Sequence, residues 1–451
     1  MRDNQQYARM GHVKSSILII AVLLPVGVVC GRDIPGTPAS YRTLLGKLEP
    51  GDTLRLAPGR YMRGLRIRGM HGKAGKPITI QGAGAKTVMV ARNGSNTADL
   101  TDASRIVIRN LTFDGRNLQN IDAIKAGGDT SKGVHHITIE GNTIVNHGAN
   151  QQTVAISTKV PCWDWVIRGN TIIAAGTGLY LGNSDGRQPF IGGIIEGNFV
   201  KDPQGYCMQV KHQYGRPKTP GIPTAARTTI IRYNVFIKND RRGSSGDRPN
   251  LLVGGFPATG AGAKDRYQIY GNLLVHNPRE SLFQGTGNIS LHDNIFVDTP
   301  RTAITVMPHH RQAPRSVRIY HNTFFRTARP VRISGLEKGA ERLVAGNLLL
   351  APDGKVPTDW TGNRALTGAA MTSGIAAPVP AFGKMDLQPR RAIQSGVLKA
   401  LRGRIADDTD FDRDYLERKK PRFDHCGAMA LPYRKPQPIR LELRKKITNS
   451  N

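Results

Sequence analysis

The chain has 451 residues, of which only 6% are aromatic and 51 are glycine. That composition disfavours a large globular enzyme with an aromatic core and suits a fold with many tight turns. A hydrophobic fraction of 39% excludes a mostly disordered chain. The formal net charge of +31 attracts polyanions without choosing among nucleic acid, anionic lipid and acidic polysaccharide.

The first element is a leader. Arg9 and Lys14 precede an apolar run from Ile17 to Val29, which is too short to span a bilayer comfortably and has the form of a signal h-region. Residues 1–33 are therefore read as a signal peptide or an N-terminal membrane anchor. The expectation is export to the periplasm, the cell surface or the medium. Cys30 follows Gly27, Val28 and Val29, a poor lipobox, so cleavage, lipidation and anchoring stay open. Export weakens nucleic acid as a natural partner, and no nucleic-acid partner is expected. The four cysteines, Cys30, Cys162, Cys207 and Cys426, form no CxxC metal spacing and allow no disulfide framework.

Residues 34–105 read as an N-terminal cap with lead-in strands. PASYRTLLGKL (38–48) predicts a short amphipathic helix with Leu44, Leu45 and Leu48 on one face. It would cover the first open strand edge. GDTLRLAPGRY (51–61) and KPITIQGAG (76–84) predict turn-punctuated strands.

From 106 to 350 a unit recurs that reads apolar-x-apolar-x-x-Asn-x-apolar-apolar. Examples are IVIRNLTF (106–113), ITIEGNTIV (137–145), WVIRGNTII (165–173) and VRIYHNTFF (317–325). The shared residues are Asn110, Asn142, Asn170, Asn198, Asn234, Asn272, Asn294, Asn322 and Asn347. Alternation of apolar and polar residues predicts strands, with the Asn at the bend between two of them. A buried amide needs partners, and stacked rungs supply them as an internal Asn ladder. A propeller or a leucine-rich repeat predicts neither this ladder nor this framework. The expected fold is all-β, a right-handed parallel β-helix solenoid with an N-terminal capping helix.

Between the Asn units lies another short strand per rung, as in DAIKAG (122–127), VAISTK (154–159), GLYLGN (178–183) and CMQVKH (207–212). Aligning apolar positions predicts an inward column of Ile124, Ile156, Leu181, Val210, Val253, Gln284, Val306 and Ile333. The outward neighbours would be Lys125, Ser157, Gly182, Lys211, Gly254, Gly285, Met307 and Ser334. This outward strip has Lys211 near its middle and would be walled by loops 213–228 and 239–250. Residues 351–434 read as an irregular C-terminal wrap and closing segment, and 435–451 as a basic tail.

This layout resembles right-handed parallel β-helix proteins of the polysaccharide lyase type, over roughly residues 40 to 430. GDTLRLAPGRY with GKPITIQG is similar to the N-terminal signature of pectate-lyase-like and chondroitinase-like β-helices. DFDRDYLERKKPRFDHCGAMA (410–430) is similar to their closing D-F-D-x-x-x-R-P…D-x-G-A segment, with a charged insertion and with Cys426 where Ile or Leu is usual. GLYLGNSDGR (178–187), CMQVKHQ (207–213) and DRPNLLVGGF (247–256) resemble an uncharacterised bacterial β-helix repeat group. The resemblance speaks for fold more than for chemistry.

The resemblance implies a lyase that acts on an acidic polysaccharide. Such an enzyme must remove a proton α to a uronate carboxyl group, neutralise the carboxylate and protonate the leaving oxygen. Lys211 is the expected base, since a lysine on a basic surface can have a depressed pKa. His212 and Lys159 are expected to assist. Asn183, Asp185, Arg187, Arg216, Arg241 and Arg248, with Arg242, are expected to bind substrate, the arginines bidentately. The bland reading is that an outward lysine is a solvated face residue. Lys125 is a weaker candidate. The pairs His135–His136 and His309–His310 make poor chelates, because neighbours on a strand face opposite ways.

Trp163 and Trp165 are read either as filling the core or a loop base, or as offering one sugar-stacking platform. Two close carboxylates of a glycoside hydrolase are absent from the outward column. No polygalacturonase blocks occur, nor the D-P-H-D block expected of an alginate-type epimerase. No cofactor is assigned, and calcium is conceivable only through isolated groups such as Asp185 or Asp202. The chain is expected to act as a monomer. The alternative function is a non-catalytic β-helix that binds or guides an envelope polysaccharide, and a third class is a surface scaffold.

Overall fold

The computed structural model describes residues 31–351, 360–395, 401–430, 432 and 434–442. Residues 1–30 of the expected leader, including Cys30, and the tail beyond 442 lie outside the described residues, and Asp33 already belongs to the first strand. Alternating apolar positions in each repeat bury one face of a short strand, and successive rungs pair these strands side by side. The strand before each Asn bend enters a twelve-stranded sheet that runs from Asp33–Gly36 to Glu341–Ala345. The strand after the bend, as in Thr143–Val145 and Thr171–Ile173, stacks in a second column. The intervening strand, as in Ile124–Ala126 and Val154–Thr158, stacks in a third. The long strands Ile295–Val306 and Thr323–Ile333 run through the corner and join the second and third columns. Every ladder in these columns is parallel, and the chain is a right-handed parallel β-helix.

The bends show how the repeat works. Asn142, Asn170, Asn198, Asn234, Asn272, Asn294, Asn322 and Asn347 are all buried. From Asn170 on, the Oδ1 of each accepts from the backbone N–H and the Nδ2 of the Asn one rung earlier, as Asn198 does from Asn170 at 3.1 and 3.0 Å. Each Nδ2 also donates to a carbonyl of the preceding rung, as Asn170 does to Ile139 at 2.9 Å. The residue before the Asn takes the left-handed turn, with φ of 62° at Gly141 and 61° at Gly197. Glycine meets that geometry without penalty.

Two corrections follow at the ladder ends. Asn110 is not a rung of the ladder: it occupies the left-handed position, with φ 55°, and Leu111 stands where the amide would be. At the other end the ladder continues one rung further, to Asn363, whose Oδ1 accepts from Asn347 Nδ2 at 2.8 Å.

The predicted capping helix is reduced to the five residues Tyr41–Leu45, with Tyr41 and Leu45 buried. Leu44 and Leu48 pack against the same core only in part. The later strands after the Asn bends carry apolar residues on both faces, as in Val235, Phe236 and Ile237, all buried. The C-terminal wrap covers their outer face with Ile375, Met385, Leu387, Leu401, Ile405, Tyr415 and Met429. Cys162, Cys207 and Cys426 are buried free thiols. Among the described residues no helix is long and apolar enough to cross a membrane.

Candidate functional site

The lateral strip forms on the third column, in a register that differs from the apolar alignment. Ile156 pairs with Leu179, and Ser157 with Tyr180. Tyr180 then pairs with Gln209, Gln209 with Leu252, Leu252 with Gln284, and Gln284 with Thr305. Gln284 therefore faces outward, and Gly285 takes the inward place beside Val253 and Val306. The alignment slips at two places: at Phe283–Gly285, and at Thr177–Leu181, where Leu179 and Leu181 are both apolar and inward and Leu179 is the partner of Ile156. Tyr180, set between them, is the side chain that reaches the strip, and the apolar alignment passed over it.

Two residues beyond the Tyr180 column, Lys159, Gly182 and Lys211 fall in line. Lys159 N–H donates to Ala126 O, and Lys211 N–H to Leu181 O, each at 2.8 Å. Gly182 lies between them with φ +91°, and a Cβ there would stand 3.2 Å from Lys211 Cβ. The two lysines bracket Tyr180: Lys159 Nζ is 3.6 Å and Lys211 Nζ 6.0 Å from its ring centroid. Neither ammonium has a carboxylate within 4.0 Å among the described residues. Burial, reinforced by the neighbouring lysines, lowers the Lys159 pKa to about 8. Burial, with Arg248 nearby, also lowers that of Lys211. Burial raises the Tyr180 phenol to about 12, so it stays protonated near neutrality.

The other expected residues divide. Asp185 and Arg187 are exposed on the adjacent turn, where Asp185 Oδ1 accepts from Arg187 N–H at 3.0 Å. The field of Asp185 reaches Lys159 and His212. Asn183 spends its amide on Gln188 Oε1 at 2.8 Å and holds the turn together. Arg248 approaches Lys211 electrostatically and lies over the Tyr206 ring.

His212 is brought to the strip but is only 3% exposed, stacked on His310 at 3.8 Å. Burial first, then His310, lowers its pKa to about 4. Arg216 is withdrawn: it is buried, ion-paired with Asp265, and bonded to Gln213 Oε1 at 2.8 Å. Arg241 and Arg242 are exposed on the 239–250 loop. Lys125 faces Asp122 at 3.6 Å.

Trp163 and Trp165 are both buried, and Trp165 belongs to the solenoid core. Trp165 Nε1 donates to Val134 O at 2.8 Å, and Trp163 stacks on His135. The left-handed Asp164 between them breaks the strand alternation. The exposed aromatic near the strip is Tyr214, 53% accessible beside His212.

Neither Asp185 nor Asp202 belongs to a group of three metal-ligating side chains among the described residues. Such a group exists only at Asp293, His321 and His425. There the ammonium of Lys420 donates to Asp293 Oδ2 at 2.7 Å, to Phe411 O at 3.0 Å and approaches His321 Nδ1 at 3.3 Å. Lys420 already serves as the cation of that cluster.

No protein-family profile matches the chain, and no curated protein matches it. Several solved structures are similar in fold. The A-module of mannuronan C-5 epimerase AlgE4 from Azotobacter vinelandii is 14% identical, with 73% of this chain and 89% of that one covered and a TM-score of 0.39. A GH136 lacto-N-biosidase from Eubacterium ramulus is 11% identical, with 74% and 68% covered and a TM-score of 0.45. A PL6-family polysaccharide lyase from Pseudopedobacter saltans is 12% identical, with 74% and 91% covered and a TM-score of 0.41.

Proposed function

We propose that this β-helix binds an acidic polysaccharide along its lateral strip and cleaves it by β-elimination. The observation that carries the reading is the pair of unpaired ammonium groups, Lys159 and Lys211, on either side of the Tyr180 ring in adjoining columns. β-Elimination from a uronate needs a base for the proton on C5, a cation for the carboxylate and an acid for the leaving O4. We assign the base to Lys159, whose pKa of about 8 leaves an appreciable neutral fraction in mild alkali. Lys211 faces the carboxylate as the cation. This exchanges the roles expected from sequence, where Lys211 was the base.

Tyr180, protonated throughout this range, donates to the departing oxygen. The C5 proton passes to Lys159, the C5 electron pair forms the C4–C5 double bond, and the C4–O4 bond breaks as O4 takes the phenolic proton. His212 stays buried under His310 and takes no part in the proton transfers. Tyr214 offers its exposed face to a sugar ring.

The test is incubation of the purified protein with alginate, pectate, glycosaminoglycans and bacterial exopolysaccharides, with ultraviolet absorbance reporting the unsaturated product. The expected result is product from a uronate polymer that disappears with Tyr180→Phe while binding persists. Binding without product from any polymer would overturn the elimination step and leave a polysaccharide-binding protein. Absence of both would sink the whole reading.

A further inference from the structure

The Tyr180 column continues past the lysines, with its floor at Gln209, Leu252 and Thr305 buried. Following the Tyr180 column through Gln209, Leu252, Gln284 and Thr305 leads to Arg332, five pairings on. At about 4.8 Å per rung this is about 24 Å from Tyr180. A cleft of about 510 Å³ opens there, lined among others by Arg301, Arg329 and Arg332, with Gln284 and Thr305 in its wall. The three guanidinium groups are exposed and make no ion pair among the described residues. This sets them apart from arginines of the twelve-stranded sheet: Arg232, Arg266 and Arg318 are each held by a carboxylate of the C-terminal wrap.

The one carboxylate in the cleft, Glu280, accepts from Gln284 Nε2 at 2.8 Å. No residue of the connecting column is acidic. Mutually repelling cations gathered in a concave place, in register with a cationic site, need an anion to offset them.

We propose that this arginine cleft is a second anion subsite, which binds carboxylate or sulfate groups of the same glycan chain that crosses Lys159 and Lys211. The inference rests on the function proposed above and adds to it. The ligand is a polyanion long enough to bridge about five rungs, so the protein selects polymers over short oligosaccharides. Guanidinium forks suit carboxylate and sulfate oxygens bidentately. Engagement of both ends multiplies affinity without any new contact at the lysines.

The experiment measures binding of end-labelled polyuronate and of its trimer by fluorescence anisotropy. The proteins compared are wild type, Lys159→Met/Lys211→Met, and Arg301→Gln/Arg329→Gln/Arg332→Gln. The arginine variant should lose roughly tenfold or more in affinity for the polymer and leave the trimer unchanged. The lysine variant should weaken both. Unchanged polymer binding in the arginine variant overturns the subsite, and an equal loss for trimer and polymer does the same. Trimer and polymer binding unaffected by the lysine variant instead overturns the functional reading, independently of the arginines. If the triple variant misfolds by circular dichroism, Arg332→Gln alone is used, and a selective loss for the polymer is again required.

Discussion

The ammonium of Lys159 lies 3.6 Å from the centre of the Tyr180 ring, although 20 residues of chain separate the two. The contact exists because Ser157 pairs with Tyr180 on the next rung, which carries the flexible Lys159 stem across the aromatic face. A cation over a ring is favourable, yet burial dominates and brings the pKa down to about 8. The neutral amine therefore accumulates as pH rises through 8. Initial rates of product formation should climb up to that pH and then level off. Lys159→Arg keeps the charge above the ring but cannot give it up. It should lower kcat by about a hundredfold or more with polymer affinity within a few-fold of wild type.

Gly182 separates the two lysines in a backbone conformation that side chains rarely adopt. Gly182→Ala should cost about 1–3 kcal/mol from strain and press on the Lys211 stem, whose Cβ would stand 3.2 Å away. Activity should fall at temperatures where thermal denaturation still finds the protein fully folded. An alanine variant with unaltered kcat would show that the position of Lys211 is not critical.

The ladder predicts a sharp contrast between two asparagines of the same motif. Asn234 Oδ1 accepts from Asn198 N–H and Nδ2, each at 2.9 Å, and its own Nδ2 donates to Ile195 O. Asn234→Ala strands these buried partners and should cost about 2–4 kcal/mol. Asn110 is exposed and left-handed, so Asn110→Gly should change stability by less than about 0.5 kcal/mol. Urea denaturation of both variants measures the difference.

Acid should loosen the C-terminal wrap. His321 on the solenoid and His425 on the wrap are fully buried and held neutral by burial first, then by each other or by Lys420, with pKa values well below 6.5. Lys420, Asp293, His292 and Asp414 also face this cluster. In the unfolded chain the imidazoles protonate near pH 6.5. The unfolded state therefore binds protons first, and the stability from neutral burial, complete above about pH 6.5, is lost as pH falls below it. Each such histidine contributes a slope approaching about 1.4 kcal/mol per pH unit. His425→Phe should flatten the dependence of the urea midpoint between pH 6 and pH 4, and an unchanged slope would show that other groups control acid unfolding.

The course of the solenoid was legible because apolar alternation and a recurrent amide are local signals with one packing solution. The ladder was misread only at its ends. Asn110 sits one place early, where the bend wants a left-handed residue and the core wants Leu111. Asn363 follows a segment without the apolar frame of the other rungs. The strip was less legible, because its register depends on which of two leucines in TGLYL pairs with Ile156, and both are inward. Tyr180 was missed for that reason. Arg216 reads as a free cation in sequence because its partner Asp265 lies 49 residues on and meets it only when two loops fold over one another.

The relay of amides gives the molecule a sense of direction. Each rung presents an N–H and a side-chain amide that are completed only by the asparagine of the following turn, so a fractional turn leaves buried donors stranded. Lengthening or shortening such a molecule through gene duplication or loss is tolerated in whole turns, each of which hands on the donors it received. Loops can vary freely in length, but the winding itself changes by integers.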